Sequence, residues 1–340
     1  MPQSPPSPDC LLVSSADVNR ALEMPLCLST VEDAFLQSAD PGAIPPVTSG
    51  MHSDDGTFHV KAALSTRRPD VPRRFAAKVN ANFPKNPTRN GFPTIQGVLL
   101  LFDADAGVPL ALMDSASITV RRTAAATGVA ARYLARVDAD SVAMIGCGAQ
   151  SLAHLEALCA VRPVRRVRAF DANPAAANRL ATLVPEQLGI RVTVASSLNS
   201  AVAGADIVVT ATTSTAAFLG IAHVSPGCFI AAVGADNPGK SEIDPALMAA
   251  AVVVTDSTAQ CASMGDLHHA VAAGAMSVDA VRSELAAVVS DPACGRRDGE
   301  EIIVFDSTGL AFQDVGVAAL VFDVLRDQPG IPRFRFAAVG

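Results

Sequence analysis

From about residue 140 the chain alternates short apolar strands with helices, and this alternation limits its possible folds more than any other feature. Continuous Val-, Ile- and Ala-rich strands separated by helices are typical of a parallel sheet covered by helices on both faces. The pattern therefore predicts a doubly wound α/β domain. The predicted strands are Ser141–Gly146, Arg165–Asp171, Arg191–Ala195, Asp206–Ala211, Cys228–Gly234, Val252–Asp256 and Glu301–Ser307.

The segment before residue 115 has a different pattern, in which strands follow one another without long helices between them. Thr57–Ser65, Phe75–Asn82 and Ile95–Asp103 are predicted strands, and Val108–Asp114 follows the last of them across the turn Asp105-Ala106-Gly107. Consecutive strands of this kind predict a largely antiparallel sheet, and hence a second domain.

Helices are predicted before and after these strands along the chain. Ser15 is expected to cap a first helix that Pro25 ends, and Ser29 forms a capping box with Glu32 for a second helix that runs to about Ala39. Further predicted helices are Ile118–Arg136, Gln150–Val161, Ala175–Leu183, Val278–Val289 and Phe312–Arg326.

Composition and charge exclude several functional classes. The 340 residues are 50% hydrophobic and 17% charged with a net charge of −7, which argues against a disordered chain and against nucleic acid as a general partner. No apolar run approaches the ~20 residues of a membrane helix, and Met1–Cys10 lacks the pattern of a signal peptide. The seven cysteines show no CxxC spacing, which indicates reduced thiols in a cytoplasmic protein. His268 and His269 are adjacent on a predicted helix and point in different directions, so no metal site is expected.

The segment Ser141–Ser151, SVAMIGCGAQS, has the features of a dinucleotide-binding turn. Gly146 permits a tight turn after a buried strand, Gly148 lets the backbone approach a pyrophosphate, and the following helix offers N–H donors. The next strand ends at Asp171, whose carboxylate can accept hydrogen bonds from the adenine ribose and would repel a 2′-phosphate. This favours NAD(H) over NADP(H). A glycine turn in an α/β domain that binds no nucleotide is the alternative.

A second cofactor contact is expected at Thr210–Ser214, TATTS, because ligands bind at the carboxyl ends of the strands in such sheets. The predicted cofactor-binding residues are Gly146, Gly148, Ala149, Gln150, Asp171, Thr210, Thr212, Thr123, Gly234 and Ser307.

Lysine is scarce in this chain. The 26 basic residues include only Lys61, Lys78, Lys85 and Lys240, and three of these lie close together in sequence. In a chain that otherwise uses arginine, this indicates a site that requires an ammonium group; drift on a solvated loop is the alternative.

Four segments concentrate polar residues beside glycine and proline: Ala77–Pro87, Gly91–Gly97, Asp114–Ala126 and Val233–Glu242. Together with IGCGAQ, GDLHHA, FDSTGLAFQDV and the strand pair GVLLLFDADAGVPLALMD, they resemble the ornithine cyclodeaminase/mu-crystallin family over about residues 44–321. The family comprises cyclodeaminases, archaeal-type alanine dehydrogenases, reductases of cyclic ketimines or other α-imino acids, and mu-crystallin.

The resemblance implies a Rossmann domain and an antiparallel domain that pairs in a homodimer. Residues 118–317 would form the Rossmann domain. Residues 1–117 and 318–340 would form the substrate-binding and dimerisation domain, with residues 1–10 as a loose tail.

The resemblance also assigns roles to three residues. Lys78 and Arg122 match the residues that bind the substrate carboxylate, and Asp236 matches the catalytic aspartate. These roles agree with general chemistry, since a guanidinium and an ammonium can clamp a carboxylate, and a nearby carboxylate favours a protonated iminium. Alternatively, Arg122 faces solvent beside Arg121, Lys78 lies on a strand surface and Asp236 is a helix cap.

Two segments depart from the family's pattern. Cyclodeaminases of the family carry an arginine in a PxR segment, where this chain has Pro46-Val47-Thr48, and a glutamate before a Met-Pro pair, where this chain has FHVKA. The missing glutamate, replaced by His59, disfavours a diamino acid substrate. Lys61 is expected to replace the lost cation; His59 either joins the substrate site or is a hydrogen-bonded strand histidine.

We therefore expect an NAD(H)-dependent reductase or dehydrogenase of a small α-imino or α-amino acid, such as a cyclic ketimine carboxylate or an alanine-like substrate. Hydride would pass between nicotinamide C4 and the substrate Cα. The expected catalytic residues are Asp236 and Lys78, and the expected substrate-binding residues are Lys61, Lys78, Arg122 and His59. Two alternatives stay open: a cyclodeaminase that uses bound NAD and releases ammonia, and a mu-crystallin-like binding protein.

Overall fold

Two sheets organise the chain, one in each of two units. The computed structural model describes residues 9–336. In that range the first unit, the mixed-sheet unit, comprises residues 9–122 and 311–336, and the second, the parallel-sheet unit, comprises residues 123–310. The expected boundaries were 117/118 and 317/318; the last long helix falls wholly in the mixed-sheet unit because it packs on that sheet.

Elements are numbered in chain order. The strands are β1 (Asp9–Val13), β2 (Val47–Ser53), β3 (Gly56–Leu64), β4 (Arg74–Asn82), β5 (Ile95–Asp103), β6 (Pro109–Asp114), β7 (Ser141–Ile145), β8 (Arg166–Phe170), β9 (Val192–Val194), β10 (Ile207–Thr210), β11 (Phe229–Ala232), β12 (Val252–Thr255), β13 (Ser283–Glu284), β14 (Ile303–Asp306) and β15 (Arg333–Arg335). The helices are α1 (Ser15–Ala21), α2 (Met24–Ser38), α3 (Asn86–Arg89), α4 (Ser115–Leu134), α5 (Ser151–Val161), α6 (Pro174–Leu188), α7 (Leu198–Val202), α8 (Pro245–Ala250), α9 (Thr258–Met264), α10 (Asp266–Ala272), α11 (Leu285–Ser290) and α12 (Ala311–Leu325).

The sheet of the mixed-sheet unit has the strand order β15-β1-β6-β5-β4-β3-β2. β1 runs parallel to β6, and the other neighbouring strands are antiparallel. α12 packs on β3, β4, β5 and β6 and also on α2. The expected antiparallel α+β domain is thus confirmed, with one parallel strand pair added.

The face of this sheet that α12 covers carries Lys61 and Lys78, the two lysines expected to bind substrate. Thr48 lies directly opposite Lys61, and Lys61 directly opposite Lys78, on three successive antiparallel strands. Directly opposed residues point to the same face, so the three side chains share it. Lys78 is only 4% exposed.

The opposite face of the same sheet carries apolar side chains that are exposed in this chain. Phe58 lies in β3, Val79 in β4 and Val98 in β5, and each is at least a third exposed. On β2, Met51 is the direct partner of Phe58 and is more exposed still. These neighbours form a continuous apolar patch, which we call the open sheet face.

The sheet of the parallel-sheet unit has eight strands, all parallel, in the order β13-β12-β14-β11-β10-β7-β8-β9. Its central strands are buried throughout, as expected for strands rich in Val, Ile and Ala. The chain runs from β7 outward to β9 and then returns to the other side of β7 with β10. Such a reversal opens a crevice at the carboxyl ends of β7 and β10, the usual ligand site of this fold. The predicted doubly wound domain is confirmed.

Two helix boundaries differ from the prediction. Pro25 lies in the first turn of α2 and does not end α1, because the N–H that proline lacks has no partner in the first turn of a helix anyway. Ser14, which forms a capping box with Asp17, caps α1 in place of Ser15. Ser29, the predicted cap of the second helix, lies inside α2.

Other elements were missed or mistaken. β1, β2 and β15 were not predicted. β1 begins inside the predicted tail, since Asp9 and Cys10 pair with β15; residues 1–8 lie outside the described part of the chain. Val278–Val289, predicted as one helix, divides into a 3₁₀ turn, β13 and α11. Short segments such as these contain too few periodic positions for the hydrophobic pattern to separate a strand from a helix.

Among residues 9–336, no helix combines the length and the apolar character that crossing a membrane requires.

Candidate functional site

The turn from β7 into α5 has the geometry that its two glycines predict. Gly146 has φ +91°, and a Cβ there would lie 2.5 Å from the carbonyl oxygen of Ala211. Both the left-handed backbone and the close approach of the chain at the end of the neighbouring strand β10 therefore require glycine. A Cβ at Gly148 would meet nothing within 4 Å. Gly148 is exposed and leaves its backbone open to a ligand.

A cavity of about 530 Å³ lies at this turn, in the crevice at the carboxyl ends of β7 and β10. Four predicted cofactor residues line it: Gly146, Gly148, Asp171 and Thr212. Its volume falls within the ~300–1,000 Å³ of ordinary small-molecule and cofactor sites. A close-approach glycine, a neighbouring open glycine and a carboxylate at the next strand end together fit a dinucleotide.

Asp171 fixes this turn as well as lining the cavity. Its carboxylate accepts hydrogen bonds from the backbone N–H of Cys147 and from that of Asn173, each at 2.7 Å. A carboxylate has about four acceptor positions, so it can still accept bonds from a ligand hydroxyl.

The remaining predicted cofactor residues lie outside the cavity lining. Ala149 and Gln150 lie just before α5, and Thr123 is buried in α4. The Ser307 hydroxyl donates to Asp256 Oδ2 at 2.9 Å. Thr210 and Gly234 both donate to one buried carboxylate, that of Glu242.

Glu242 is a buried residue that the sequence analysis did not single out, although its segment was noted. It is 0% exposed. Burial raises its pKa from 4.5 to about 7, and repulsion by Asp266 adds to this shift. The hydrogen bonds from Thr212 and Thr210 act in the opposite direction but are outweighed. Asp266, itself buried, has its pKa raised to about 6. An acidic residue closing a glycine-rich segment after a buried strand is the only sequence signal that could have found it.

Asp236, the predicted catalytic aspartate, lies in the loop after β11. Its side chain is 56% exposed and its Oδ1 lies 2.7 Å from Nζ of Lys240, whose side chain is 18% exposed. More than half of the Asp236 side chain is thus exposed while the ion pair with Lys240 holds it. This ion pair also gives Lys240 a structural role.

In the mixed-sheet unit, Lys78 and Arg122 converge on one buried carboxylate, that of Asp314 in the first turn of α12. Lys78 Nζ lies 2.7 Å from Asp314 Oδ2, and Arg122 Nε lies 3.2 Å from Asp314 Oδ1. Arg122 also donates to Gln313 Oε1 at 3.1 Å. No side chain of the ion-pair triad is more than 7% exposed. The solvent-facing alternatives for Lys78 and Arg122 are therefore wrong.

The electrostatics of this cluster are unusual. Burial lowers the pKa of Lys78 from 10.5 to about 7; Asp314 opposes this shift, whereas Arg122 and Lys61 add to it. Burial raises the pKa of Asp314, but the pull of Lys78 and Arg122 outweighs it and leaves that pKa below its ordinary value. Lys78, Arg122 and Lys61 thus all lower the pKa of Asp314, and Lys78 and Arg122 share its carboxylate.

The histidines have local partners. His59 Nε2 lies 3.0 Å from the Thr57 hydroxyl on the same strand and shares the covered sheet face with Lys61. His268 Nδ1 lies 3.1 Å from the carbonyl oxygen of Ala262, and His269 Nε2 lies 2.8 Å from that of Lys240.

Comparison with known proteins supports this description. The model of the ornithine cyclodeaminase/mu-crystallin family matches residues 9–328. The structure of an archaeal alanine dehydrogenase dimer with bound NAD is 32% identical and has a TM-score of 0.89, covering 97% of this chain and 100% of that one. Δ1-pyrroline-2-carboxylate reductase of Thermococcus litoralis, solved with NADH and L-proline, is 29% identical with a TM-score of 0.86, covering 93% and 98%.

Relatives with another reaction are nearly as similar. Ornithine cyclodeaminase of Agrobacterium fabrum is 31% identical over 295 residues, which is 86% of this chain and 79% of that protein. The comparisons confirm the fold and the resemblance, and they leave the reaction to be argued from the site.

Proposed function

We propose, since the chain belongs to the ornithine cyclodeaminase/mu-crystallin family, that it is an NAD(H)-dependent reductase or dehydrogenase of a small α-imino or α-amino acid. The substrate would be a cyclic ketimine carboxylate or an alanine-like compound. The observation that carries the proposal is the buried cluster of Lys78, Arg122 and Asp314, with Lys61 beside it.

The cluster suits a substrate carboxylate because its positive charge exceeds its negative charge. Asp314 contributes one negative charge to the cluster, while its ion-pair partners Lys78 and Arg122 contribute two positive charges. A carboxylate entering such a low-dielectric site is strongly favoured over a neutral group. Lys61 lies on the strand next to Thr48, the position of the family's missing arginine. We assign it the role of that arginine.

The cavity at the β7–α5 turn would hold NAD(H), with Gly146 and Gly148 at the pyrophosphate and Asp171 at the adenine ribose. The Asp171 carboxylate would repel the 2′-phosphate of NADP(H), which supports a preference for NAD(H). Bound NAD(H) supplies or accepts the hydride that passes between nicotinamide C4 and the substrate Cα.

Two residues of the chain are candidates for the proton at the imine nitrogen. Asp236 is accessible, and as a carboxylate it favours the charged iminium that hydride attacks. Lys78 has its pKa brought to about 7, so it can hold or release a proton near neutral pH. We propose that Asp236 handles the iminium proton and that Lys78 holds the carboxylate in its ammonium form.

We also propose that the protein is a homodimer that pairs through the open sheet face. Contiguous exposed apolar patches on a soluble chain mark interaction surfaces, and the archaeal alanine dehydrogenase structure is described as a dimer.

The reaction is tested by two parallel assays. NADH or NADPH is supplied with pyrroline-2-carboxylate, piperideine-2-carboxylate, or pyruvate plus amines, and NAD⁺ is supplied with ornithine or lysine. Imine-dependent loss of NADH supports the reductase. Ammonia release from ornithine or lysine without net NADH change identifies a cyclodeaminase instead, and NADH binding without turnover in either assay identifies a binding protein.

The role of Lys78 is tested against another lysine of the same unit. K78M is expected to lower kcat/KM for the imino acid by roughly a hundredfold or more, since it leaves a buried carboxylate site one cation short. K85M is the control, because the Lys85 side chain is exposed and forms an ion pair with Asp55 on the protein surface. Equal activity of K78M and K85M would overturn the proposed carboxylate site.

A further inference from the structure

Three buried carboxylates form a series behind the carboxyl ends of the strands in the parallel-sheet unit, and none of them has a role in the proposed chemistry. They are Glu242, Asp266 at the start of α10 and Asp306 at the end of β14, and all three are 0% exposed. Buried ionisable groups are costly, so their hydrogen bonds indicate what they do.

Glu242 joins two loops. Its Oε1 accepts a hydrogen bond from the backbone N–H of Thr212 at 2.7 Å, and Thr212 belongs to the loop that lines the cavity. Its Oε2 accepts bonds from the backbone N–H of Gly234 at 2.9 Å and from the Thr210 hydroxyl at 2.7 Å. Gly234 begins the loop that carries Asp236. One carboxylate therefore receives donors from the cavity-lining loop, residues 211–214, and from the Asp236 loop, residues 234–241.

The fit around this carboxylate is tight. A Cβ at Gly234 would lie 2.3 Å from Glu242 Oε1, so only glycine lets the loop approach so closely. The backbone carbonyl of Glu242 accepts N–H bonds from Phe218 and Leu219, each at 3.0 Å, and Phe218 also lines the cavity. Both the side chain and the backbone of Glu242 thus hold the wall of the cavity.

The other two carboxylates hold Glu242 in turn. Asp266 Oδ1 accepts the backbone N–H of Glu242 at 2.8 Å and that of Ile243 at 3.0 Å. Asp306 accepts the N–H groups of Asp266 at 3.3 Å and Leu267 at 2.9 Å. The series connects the ends of β10, β11 and β14 without any cation in these contacts.

We propose that Glu242 is a positioning residue for the nucleotide cavity: its carboxylate joins the cavity-lining loop to the Asp236 loop, and NAD(H) binds tightly only when this carboxylate is ionised. Two of the donors named above, those of Thr212 and Gly234, are backbone N–H groups, which can only donate, so an anionic acceptor holds the loops most firmly. The inference rests on the proposed NAD(H) site.

The surroundings of Glu242 place its ionisation near neutral pH. The charged group that faces it is Asp266 on α10, with Asp306 behind; Thr210, Thr212 and Gly234 on the other sides are neutral. Burial, with Asp266, raises the pKa of Glu242 to about 7. Because Asp266 repels Glu242, the two titrate as a pair, and removing the charge of Glu242 lowers the pKa of Asp266. His269 on α10 contacts the carbonyl oxygen of Lys240 at 2.8 Å and remains in every variant below.

The test is NADH binding without substrate, measured by fluorescence titration of the full-length protein between pH 6 and pH 8. In the wild type, the NADH Kd is expected to rise by up to roughly tenfold as pH falls to 6, because the ionised, binding-competent fraction falls. E242Q is expected to bind NADH roughly tenfold or more weakly at pH 8, since an amide turns an NH₂ group toward a donor, and to lose the pH dependence. The matched control is E284Q, because Glu284 likewise accepts a backbone N–H, that of Thr258 at 2.7 Å, but is exposed.

A second variant, T210V, tests the role of Glu242 if E242Q does not fold. T210V removes only the hydroxyl that donates to Glu242 Oε2; this bond lowers the pKa of Glu242, so its loss raises that pKa. The midpoint of the pH dependence of NADH binding is then expected to move to higher pH. A purely structural role for Thr210 would not move it.

Failure of the inference is distinct from failure of the proposed function. A wild type that binds no NADH overturns the proposed function. A wild type that binds NADH equally at pH 6 and pH 8, or a folded E242Q that binds like the wild type, or a T210V variant with an unmoved midpoint, overturns the role of Glu242 alone.

Discussion

At the scale of single residues, Asp314 explains how the chain tolerates a buried ammonium beside a buried guanidinium. Removing two cations from water without an anion costs several kcal/mol, and Asp314 contacts both, at 2.7 Å from Lys78 and 3.2 Å from Arg122. One carboxylate for these two cations leaves positive charge for a ligand. Asp314 is therefore part of the proposed carboxylate site, although it carries the wrong charge to bind a carboxylate itself.

The pH dependence of activity tests this reading. Asp314 raises the pKa of Lys78, so D314N is expected to lower that pKa from about 7. If the ammonium form of Lys78 is required, wild-type kcat/KM falls as pH rises through about 7, and the D314N profile falls at lower pH. The measurement is kcat/KM for the imino acid from pH 5.5 to pH 9.

The control is D33N, since Asp33 pairs with Arg68 on the exposed surface of the same unit. An unmoved profile in a folded D314N would show that Lys78 does not control activity through its charge. A profile moved equally by D33N would show a general electrostatic effect.

At the scale of elements, the β7–α5 turn contains one position, Gly146, where two separate structural requirements both call for glycine. Gly146 needs the left-handed backbone to turn into the helix, and it needs the absence of a Cβ because Ala211 at the end of the neighbouring strand approaches it. The sequence predicts the first demand from the GxG pattern. The second depends on which strand lies beside β7, which is β10 and not the next strand along the chain.

Two glycine-to-alanine substitutions separate these demands. Gly204 also has a positive φ, +63°, but a Cβ there meets nothing within 4 Å, so G204A is expected to cost about 1 kcal/mol of unfolding free energy. G146A adds a clash with backbone and is expected to cost about 3 kcal/mol or more. Urea unfolding of both variants measures the difference. Equal costs would show that the turn shifts to relieve the contact, and would weaken the argument for close approach.

At the scale of the whole molecule, the open sheet face is an exposed apolar surface whose burial would favour association. Phe58, Val79, Val98 and Met51 form neighbouring apolar side chains on the face opposite Lys78. Burial of such apolar surface contributes about 25 cal/mol of free energy per Å², which would favour association of two copies.

We expect F58D to convert the proposed dimer to a monomer or to weaken its association at least roughly tenfold, because a charge would be buried without a partner. Light scattering after size exclusion at several protein concentrations measures this. V137D is the control, since Val137 is 83% exposed but lies in the parallel-sheet unit. A dimer unchanged by F58D would place the interface elsewhere.

The sequence by itself determined the two fold classes, the dinucleotide turn with Gly146 and Asp171, and the candidates Lys78, Arg122 and Asp236. Apolar strand periodicity and glycine spacing are local properties, and a family resemblance transfers individual positions. The tertiary structure alone decided that Lys78 and Arg122 meet on Asp314, and that Glu242 joins two loops. Those contacts depend on strand register and on helices that arrive from distant parts of the chain, which no local pattern records.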